Sequence, residues 1–416
     1  MKLITDFHLH SKYSRACSKD LTLPNIAKAC ERKGIQLVGT SDFTHPAWRK
    51  HIGDVLDDAG DGTFRCADGS SPTTFILATE LSSIYKRHGK TRRVHNLVLL
   101  PDLASVDRLI ASLESRGANL KSDGRPILGI DSEELYKLVV DASPDGLLIP
   151  AHAWTPWFSV FGSQSGFDSL EECFGEMVKH VCAIETGLSS DPAMNRRLSA
   201  LDDVLLVSNS DAHSLDKLGR EANVFEMERP SYHELRRIFV ERDTTKFLET
   251  IEFFPEEGKY HADGHRACQY WCMPAETKRR NGVCPKCGKP LTVGVLSRVD
   301  DLADRPSDGQ GATSRASIPF RSIVPLAELI GSVLDVGASS KRVAKLIDAF
   351  TAASKTEFGV LLDEPESELA RLAPPEIVSA IFAMRRGEVD VRPGYDGEYG
   401  VVKMKGVSRH EQGRIV

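Results

Sequence analysis

The sequence predicts an α/β protein built around a barrel of about seven parallel strands. Two observations lead to this fold class. From residue 1 to about residue 255, short apolar runs alternate with stretches of helical spacing. His and acidic residues recur at or just after the ends of these runs, which is where barrel enzymes carry their chemistry. An open, doubly wound sheet is the alternative, but side chains from so many strands converge less easily in an open sheet.

The predicted strands and helices follow one another along this part of the chain. The apolar runs that predict strands are residues 3–7, 36–40, 74–78, 94–100, 146–150, 181–186 and 204–208. Helical spacing is found in residues 23–33, 104–116, 132–141 and 231–242. Helices between successive strands are typical of parallel sheets, because the chain must cross back before it starts the next strand.

The opening segment Asp6-Phe7-His8-Leu9-His10 places two His residues two positions apart at the end of the first predicted strand. Residues two apart on a strand point to the same side, so His8 and His10 can converge on one metal ion. A single His near a strand end is most often a structural polar residue, but the pattern recurs. The comparable residues after later runs are Glu80, His95, His152, Asp211 and His213.

These residue types suit a centre of two divalent ions bridged by the carboxylate of Glu80. The expected ligands are His8, His10 and Asp211 for one ion, and His95 and His152 for the other. Two ions about 3.5–4 Å apart lower the pKa of bound water and neutralise charge on a phosphoryl oxygen. We therefore expect metal-assisted phosphoester hydrolysis with two divalent ions, which could be Zn²⁺, Mg²⁺ or Mn²⁺. The expected catalytic residues are Glu80, Asp211 and His152.

Four cysteines form a separate pattern after a predicted domain boundary near Pro255. Cys268 and Cys272 are followed by Cys284 and Cys287, which lie in a Cys-Pro-Lys-Cys-Gly turn. Two such knuckles can bring four thiolates to one tetrahedral Zn²⁺. The segment is too short to build its own core, so we expect metal binding to supply its folding energy. Reduced thiols without a ligand role are the alternative.

Composition restricts the class of protein. The chain has 416 residues, of which 41% are apolar and 27% charged, as in soluble globular proteins. It has no apolar run of the roughly eighteen residues that a membrane span needs, and no secretory leader is recognisable. The other five of its nine cysteines lack disulfide spacing, so we expect a cytoplasmic protein. The net charge of −6 confines any nucleic-acid affinity to local patches.

Two basic patches are present, at residues 86–93 and 259–298. A charge run is usually a solvated surface. The first patch, however, lies in a predicted loop directly before His95. A phosphodiester could therefore contact this patch and the candidate metal site at the same time. Aromatic residues follow His152, and base stacking contributes about 1–3 kcal/mol per base, although aromatic clusters more often belong to the core. The expected substrate contacts are Trp154, Trp157, Phe158, Arg92 and Arg93.

The remainder of the chain predicts a linker and a helical domain. Residues 306–317 are rich in Ser, Gly and Asp, and amphipathic helices are expected within residues 326–334, 341–353, 366–372 and 376–386. These helices carry no catalytic motif. The predicted domains are a barrel (1–256), a zinc module (257–300) and a linker with a helical C-terminal domain (301–416).

Several of these motifs together resemble the PHP (polymerase and histidinol phosphatase) domain. The resemblance rests on Asp6-Phe7-His8-Leu9-His10-Ser11, on Thr-Ser-Asp-Phe-Thr-His at 40–45, on Glu80, His95 and His152, and on Ser210-Asp211-Ala212-His213-Ser214. It implies a distorted seven-stranded barrel with two or three ions. Many PHP domains have Thr-Asp-His where this chain has Ser41-Asp42-Phe43, which leaves His45 as the substitute ligand. His45 and His213 would hold a third ion, or the centre is binuclear.

The likeness extends to the endonuclease Q family through three further segments. These are Lys-Tyr-Ser-Arg-Ala-Cys-Ser at 12–18, the four-cysteine module and the Pro-Gly-Tyr-Asp-Gly segment near the C-terminus. In that family a PHP barrel, a zinc module and a helical domain jointly cut DNA on the 5′ side of deaminated bases. The resemblance implies a repair endonuclease for uracil, hypoxanthine, xanthine and abasic sites, with damaged DNA and its flipped base as the partner. A sliding clamp is a further candidate partner that no motif identifies.

Two other functions are compatible with parts of the pattern. If the protein were a phosphatase for a small phosphate ester, neither the zinc module nor the second basic patch would have an explained function. A metal-stabilised DNA-binding protein without catalysis would not need Glu80 together with two pairs of ligands spaced two residues apart, His8 with His10 and Asp211 with His213. Glu185, which follows its own predicted strand, is either an additional active-site acid or a hydrogen-bonded structural carboxylate.

Overall fold

The computed structural model describes residues 1–306 and 316–406. The predicted linker at 306–317 therefore lies almost wholly outside the described residues. The strands are β1 (Lys2–Asp6), β2 (Leu37–Gly39), β3 (Leu56–Gly60), β4 (Thr63–Cys66), β5 (Thr74–Arg87), β6 (Lys90–Leu100), β7 (Ile127–Leu128), β8 (Leu147–Pro150), β9 (Ala183–Glu185), β10 (Leu205–Val207), β11 (Ala222–Glu226), β12 (Phe247–Phe253), β13 (Asp263–His265), β14 (Tyr270–Cys272), β15 (Phe320–Ile323), β16 (Val389–Arg392) and β17 (Val401–Met404).

Helices lie between many of these strands and make up most of the C-terminal part of the chain. The α-helices are α1 (Leu23–Lys33), α2 (Pro46–Val55), α3 (Leu103–Ser115), α4 (Ser132–Ala142), α5 (Leu170–Phe174), α6 (Pro192–Asn195), α7 (Tyr232–Glu241), α8 (Pro274–Arg279), α9 (Val295–Leu302), α10 (Leu326–Leu334), α11 (Lys341–Ala352), α12 (Glu366–Leu369) and α13 (Pro375–Arg385). Among the described residues, no helix combines the length and the apolar character that crossing a membrane requires.

The fold is mixed α/β with a central sheet. Strands β15, β12, β11, β1, β2, β5, β4 and β3 are neighbours in that order, with β6 and β7 joined to β5 and β8 joined to β6. Strands β9 and β10 form a parallel pair of their own. Every apolar run that predicted a strand in the first part of the chain overlaps one, although β5 and β6 are longer than their runs.

The expectation that all these strands run parallel is wrong. β2 pairs in parallel with β1 and β5, but β6 is antiparallel to both β5 and β8. β5 passes into β6 through a turn at His88 and Gly89, whose φ angles are 52° and 72°. Two positive φ angles favour a tight hairpin with no crossover helix. The basic segment 86–93 is therefore the end of this hairpin and not a loop.

A shared apolar core brings the strand ends together. One buried cluster contains side chains from nine strands. They include Leu3, Leu37, Ile76, Leu97, Leu147, Ala183, Leu205 and Phe225. Because these strands pack on one core, the polar residues at their ends converge on one side of it.

The C-terminal part contains the predicted helices but is not only helical. β15 pairs in parallel with β12, with Thr250 opposite Phe320 and Phe253 opposite Ile323. β16 and β17 form an antiparallel hairpin. The central sheet therefore continues beyond the predicted barrel boundary at residue 256.

Two neighbouring carboxylates are fully buried beside β11 and β12. Glu252 lies on β12, and Glu221 directly precedes β11. Glu252 Oε2 accepts a hydrogen bond from Thr186 Oγ1 at 2.9 Å. Burial raises the pKa of Glu252 to about 8. Burial, together with the charge of Glu252, also raises the pKa of Glu221 well above its usual value. Both carboxyl groups therefore resist ionisation in the folded protein.

We predict that Glu252→Gln makes stability less dependent on pH between about pH 5 and pH 8. The unfolded chain releases the Glu252 proton near the ordinary carboxyl pKa, whereas the folded chain holds it until about pH 8. The free energy of unfolding of the parent should therefore fall as pH rises through this window. Urea unfolding at both pH values measures the slope, and Glu114→Gln, at an exposed position of α3, serves as control. Equal slopes for parent and Glu252→Gln would contradict the prediction.

Candidate metal centre

The first group of potential metal ligands lies around one oxygen of Glu80. Nε2 of His8 and Nε2 of His10 lie 3.4 Å and 3.3 Å from Glu80 Oε2. The same two nitrogens lie 3.6 Å and 3.0 Å from Asp211 Oδ1. One donor atom from each of these four residues lies within 4.8 Å of the others. This spacing allows all four to contact a single ion.

The second group lies around the other oxygen of Glu80. His95 Nδ1 and His152 Nε2 lie 2.7 Å and 3.1 Å from Glu80 Oε1, and 3.2 Å from each other. Because its two oxygens face different groups, the Glu80 carboxylate is placed to bridge two ions. The structure thus brings six of the predicted ligands together: His8, His10, Glu80, His95, His152 and Asp211.

These donors fit a divalent ion. Ligands about 2.0–2.2 Å from a tetrahedral ion lie about 3.3–3.6 Å from one another, close to the separations in the first group. Nε2 of His8 is fully buried and has no hydrogen-bond partner among the described residues. A buried polar atom normally has a partner, and a bound ion would provide it. Imidazole nitrogen with carboxylate oxygen suits zinc and related transition metals.

The protonation states of Glu80 and His95 suit metal binding. Burial alone would raise the pKa of Glu80, but His95 and Arg125 hold it well below its usual value. Burial lowers the pKa of His95 to about 4, although the Glu80 charge opposes this. At neutral pH Glu80 is therefore a carboxylate and His95 a neutral imidazole, the forms in which both bind metal. Burial alone would lower the pKa of His8 and His10, but neighbouring carboxylates raise it well above its usual value. Both rings must therefore lose a proton when they bind an ion.

Unusual backbone geometry positions several of these side chains. The φ angles of Asp42, His152 and Asp211 are 33°, 31° and 46°, in a region that residues other than glycine rarely adopt. Such strain concentrates at functional sites. Gly187, after β9, approaches His152 so closely that a Cβ on Gly187 would lie 2.5 Å from the Cβ of His152. The loop can pass at this distance only because residue 187 is glycine.

Glu185 holds His8 from the side opposite Glu80. Nδ1 of His8 lies 3.0 Å from each carboxylate oxygen of Glu185. Glu185 also accepts hydrogen bonds from the backbone N–H of His152 at 2.7 Å and from Asn209 Nδ2 at 2.9 Å. A carboxylate behind a ligating His fixes the ring and its tautomer. The structure therefore shows Glu185 as a hydrogen-bonded carboxylate that orients His8.

Asp42, rather than His45, is the neighbour of the first group. Asp42 Oδ1 lies 3.4 Å from His10 Nδ1, and Asp42 Oδ2 accepts a hydrogen bond from Ser14 Oγ at 2.7 Å. The His45 ring instead stacks on Tyr13, with ring centroids 4.4 Å apart. The helix α2 begins directly after His45. In the described part of the chain His45 belongs to neither ligand group.

His213 borders the first group without entering it. Its ring centroid lies 4.5 Å from that of His10, and its Nδ1 lies 2.8 Å from the carbonyl oxygen of Asp211. Its side chain is 33% exposed. A third ion held by His45 and His213 stays a prediction, because the structure does not bring these two residues into one group.

Two of the predicted substrate contacts are core residues. Trp154 is fully buried, and its Nε1 donates to Asn195 Oδ1 at 2.8 Å. Arg92 is also buried, donates to the carbonyl of Gly166 and lies over the ring of Phe167, 4.2 Å from its centroid. Neither side chain is available to a substrate in this conformation.

The other three form a surface beside the second ligand group. Phe158 packs against His95 with ring centroids 4.8 Å apart, and the Arg93 guanidinium lies 5.8 Å from the Phe158 centroid. Trp157 is 41% exposed and meets the ring of Tyr260 edge-on. We call Arg93, Trp157, Phe158 and Tyr260 the aromatic surface. It can offer stacking partners and positive charge next to the candidate ions.

The predicted zinc module contains a second kind of ligand group. Sγ atoms of Cys268, Cys284 and Cys287 and a ring nitrogen of His265 lie within 4.8 Å of one another. Cys287 Sγ lies 3.5 Å from His265 Nδ1. Three thiolates and one imidazole form one of the usual structural zinc sites.

His265 thus occupies the place expected for Cys272. Strands β13 and β14 form a hairpin in which His265 faces Tyr270 and Asp263 faces Cys272. This register places His265 next to the turn that carries Cys268. Cys272 Sγ instead lies 3.2 Å from Thr277 Oγ1 and outside the group. The sequence pattern missed His265 because only the cysteines had knuckle spacing.

Comparison with known proteins identifies the family. The structure of the lesion-specific endonuclease PfuEndoQ from Pyrococcus furiosus matches with a TM-score of 0.86 and 32% identity, over 97% of this chain and 96% of that chain. The chain belongs to the endonuclease Q family. It is accordingly a metal-dependent DNA endonuclease, as the sequence predicts.

Other relatives extend the match along the whole chain. A structure of endonuclease Q with a 27-mer duplex substrate that carries an abasic lesion at the active site matches with a TM-score of 0.83 and 32% identity, over 99% of both chains. The uncharacterized protein YqxK of Bacillus subtilis (strain 168) is 31% identical over 97% of this chain and 99% of its own length. Residues 325–388 match a family model described as the MJ0043 C-terminal domain.

We predict that His265→Ala loses about one zinc ion per chain, because three thiolates alone leave the tetrahedral site incomplete. Cys272→Ser should keep the zinc content of the parent. Metal analysis of the purified full-length proteins measures both. The reverse result, with zinc lost in Cys272→Ser and kept in His265→Ala, would restore the four-cysteine site.

Proposed function

We propose that this endonuclease hydrolyses the DNA phosphodiester on the 5′ side of deaminated bases and leaves 3′-hydroxyl and 5′-phosphate ends. The observation that carries the proposal is the Glu80 carboxylate, whose two oxygens face two separate ligand groups. The relative solved with a lesion-bearing duplex supports DNA as the substrate. The shared core of many strands supports a PHP-type barrel as the frame of the site.

The residues of this chain would have different roles in metal binding and in the positioning of the ligands. Bound divalent ions supply activation of water and neutralisation of phosphoryl charge. His8, His10 and Asp211 would hold one ion, and His95 and His152 the other. Glu185 keeps Nε2 of His8 directed toward Glu80 by holding its Nδ1. Burial of these ligands excludes bulk water, which strengthens the electrostatic interactions inside the site.

One pocket can select the deaminated bases by hydrogen bonding. Uracil and hypoxanthine both present a ring N–H donor beside a carbonyl acceptor, whereas cytosine and adenine present a ring acceptor beside an amino donor. Thymine and guanine also present a ring N–H donor beside a carbonyl acceptor, as the deaminated bases do. The pocket must therefore exclude the thymine methyl and the guanine amino group sterically. Extrusion of a base costs a few kcal/mol and is cheapest at a mispaired lesion.

We place the extruded base near the aromatic surface. Trp157 and Phe158 offer exposed or partly exposed rings, and Arg93 adds positive charge. Phe158 contacts His95 of the second ligand group. A base stacked here would bring its own phosphate toward the ions.

We propose the cytoplasm as the compartment in which the enzyme meets DNA.

The substrate class is tested with duplexes that differ in a single base. We predict rapid nicking at uracil and hypoxanthine, slower nicking at abasic sites, and none at normal thymine or guanine. Denaturing electrophoresis of end-labelled strands measures the rate and the position of the cut. Equal cutting at thymine and uracil would exclude recognition of deamination. Hydrolysis of small phosphate esters alone would favour the phosphatase alternative.

We predict that Glu80→Gln abolishes nicking while the fold is retained. The amide keeps the volume of the side chain but removes the charge that would hold two ions, so metal content should fall. Circular dichroism checks the fold, and metal analysis with single-turnover nicking checks the site. Glu114→Gln is the matched control for loss of a carboxylate at an exposed position. Nicking at the parent rate with saturating metal would exclude the bridging role of Glu80.

A further inference from the structure

One cationic side chain, that of Arg125, contacts the candidate metal centre but belongs to no sequence motif that predicts such a role. Arg125 lies in the loop before β7, and its Nη1 donates a hydrogen bond to Glu80 Oε2 at 2.9 Å. The Glu80 side chain is fully buried, whereas the Arg125 side chain is 25% exposed. Arg125 is therefore the more exposed partner of this ion pair.

The loop that carries Arg125 is fixed on both sides. The N–H of Gly124 donates to the carbonyl of Tyr13 at 3.1 Å, and the N–H of Ser82 donates to the carbonyl of Pro126 at 3.1 Å. A Cβ on Gly124 would lie 2.3 Å from a carboxylate oxygen of Asp42. The loop reaches this depth only because residue 124 is glycine. The position of Arg125 is therefore set by the fold and not by a flexible surface loop.

Most of the hydrogen-bonding capacity of Arg125 remains free. A guanidinium has five N–H donors, and within residues 1–306 and 316–406 this side chain donates a hydrogen bond to Glu80 alone. The donors that do not face Glu80 are available to an acceptor that enters from solvent. Guanidinium donors in a planar fork match the oxygens of a phosphate.

Charge balance favours an anion at this position. Glu80 and Asp211 lie in the ligand groups, and Asp42 and Glu185 contact His10 and His8. These carboxylates bring at most four negative charges, and the His ligands are neutral when they bind metal. Two divalent ions with the guanidinium would leave the site with excess positive charge. A phosphodiester supplies one negative charge and gains another as it is attacked. An arginine next to the ions is stabilising when that charge develops.

We propose that Arg125 is a catalytic residue that binds a non-bridging oxygen of the scissile phosphate and stabilises the charge developing on it. This inference rests on the proposed function, because it takes the phosphodiester as the group that is attacked. The competing role is a positioning one, in which Arg125 only holds the Glu80 carboxylate in place. The two roles differ in what happens to the ions when the guanidinium is removed.

The experiment compares Arg125→Ala and Arg125→Lys with the parent and with Arg116→Ala. Arg116 is 41% exposed on the surface, where it pairs with Glu134, and its loss should leave nicking unchanged. For Arg125→Ala we expect single-turnover nicking to fall by about 10²–10³-fold, as for removal of one donor to a developing oxyanion. Arg125→Lys should recover part of this loss because it keeps the charge but not the planar fork.

Two further measurements separate the roles. The metal content of Arg125→Ala should equal that of the parent, and added guanidinium chloride at millimolar concentration should restore part of its nicking rate. Isothermal titration of the metal-loaded proteins with inorganic phosphate should show weaker binding by Arg125→Ala than by Arg116→Ala. Loss of ions without rescue by guanidinium would assign Arg125 a positioning role and overturn the proposal. Nicking by Arg125→Ala at the parent rate would also overturn it.

The outcome distinguishes this inference from the proposed function. If the parent cuts no damaged duplex, the proposed function fails, and the phosphate titration still reports whether Arg125 binds the anion. If the parent cuts at lesions but Arg125→Ala binds phosphate as tightly as the parent, the proposed function stands and the inference about Arg125 fails.

Discussion

The structure depends on a carboxylate that is fully buried at the point where several strands end. An isolated buried carboxylate is costly, so the charge of Glu80 must be compensated by neighbours that the fold supplies. His8, His10, His95 and Arg125 all direct nitrogen atoms at its two oxygens. They come from three separate parts of the chain: the segment after β1, the strand β6 and the loop before β7. The requirement to bring them together explains why strained backbone and a close glycine contact concentrate around this one side chain.

The sequence predicted the ligand groups better than their surroundings. His8 with His10, and Glu80 with later His residues, could be recognised because they recur in or just after apolar runs, although Glu80 and His95 lie within β5 and β6 and not at the ends of these strands. Asp42 stood within the recognised segment 40–45, but the sequence did not show that it, rather than His45, lies beside His10. Arg125 belonged to no recognised pattern. The His45 prediction depended on replacing a missing motif residue by its nearest equivalent in sequence. In the structure the His45 ring stacks on Tyr13 and belongs to neither ligand group among the described residues.

The sequence predicted where many of the strands and helices lie, but not whether neighbouring strands run parallel or antiparallel. Apolar runs mark strands well, but they do not tell whether the next strand runs parallel. That depends on the connection, and between β5 and β6 it is a turn of two residues with positive φ. The strands β3 and β15 were missed because they have few apolar residues or lie outside the alternating region. The choice between His265 and Cys272 likewise depends on hairpin register, which spacing between cysteines does not encode.

The pairing of β15 with β12 has a consequence for how the chain is completed during synthesis. β12 ends at Phe253, and β15 begins at Phe320, 67 residues later by subtraction of the two positions. Until the later strand has emerged from the ribosome, one edge of β12 is unpaired, and open strand edges are templates for aggregation. A protein ending at residue 256 would keep that edge permanently open. The C-terminal part therefore acts as an edge cover for the nuclease sheet, whatever else its helices do.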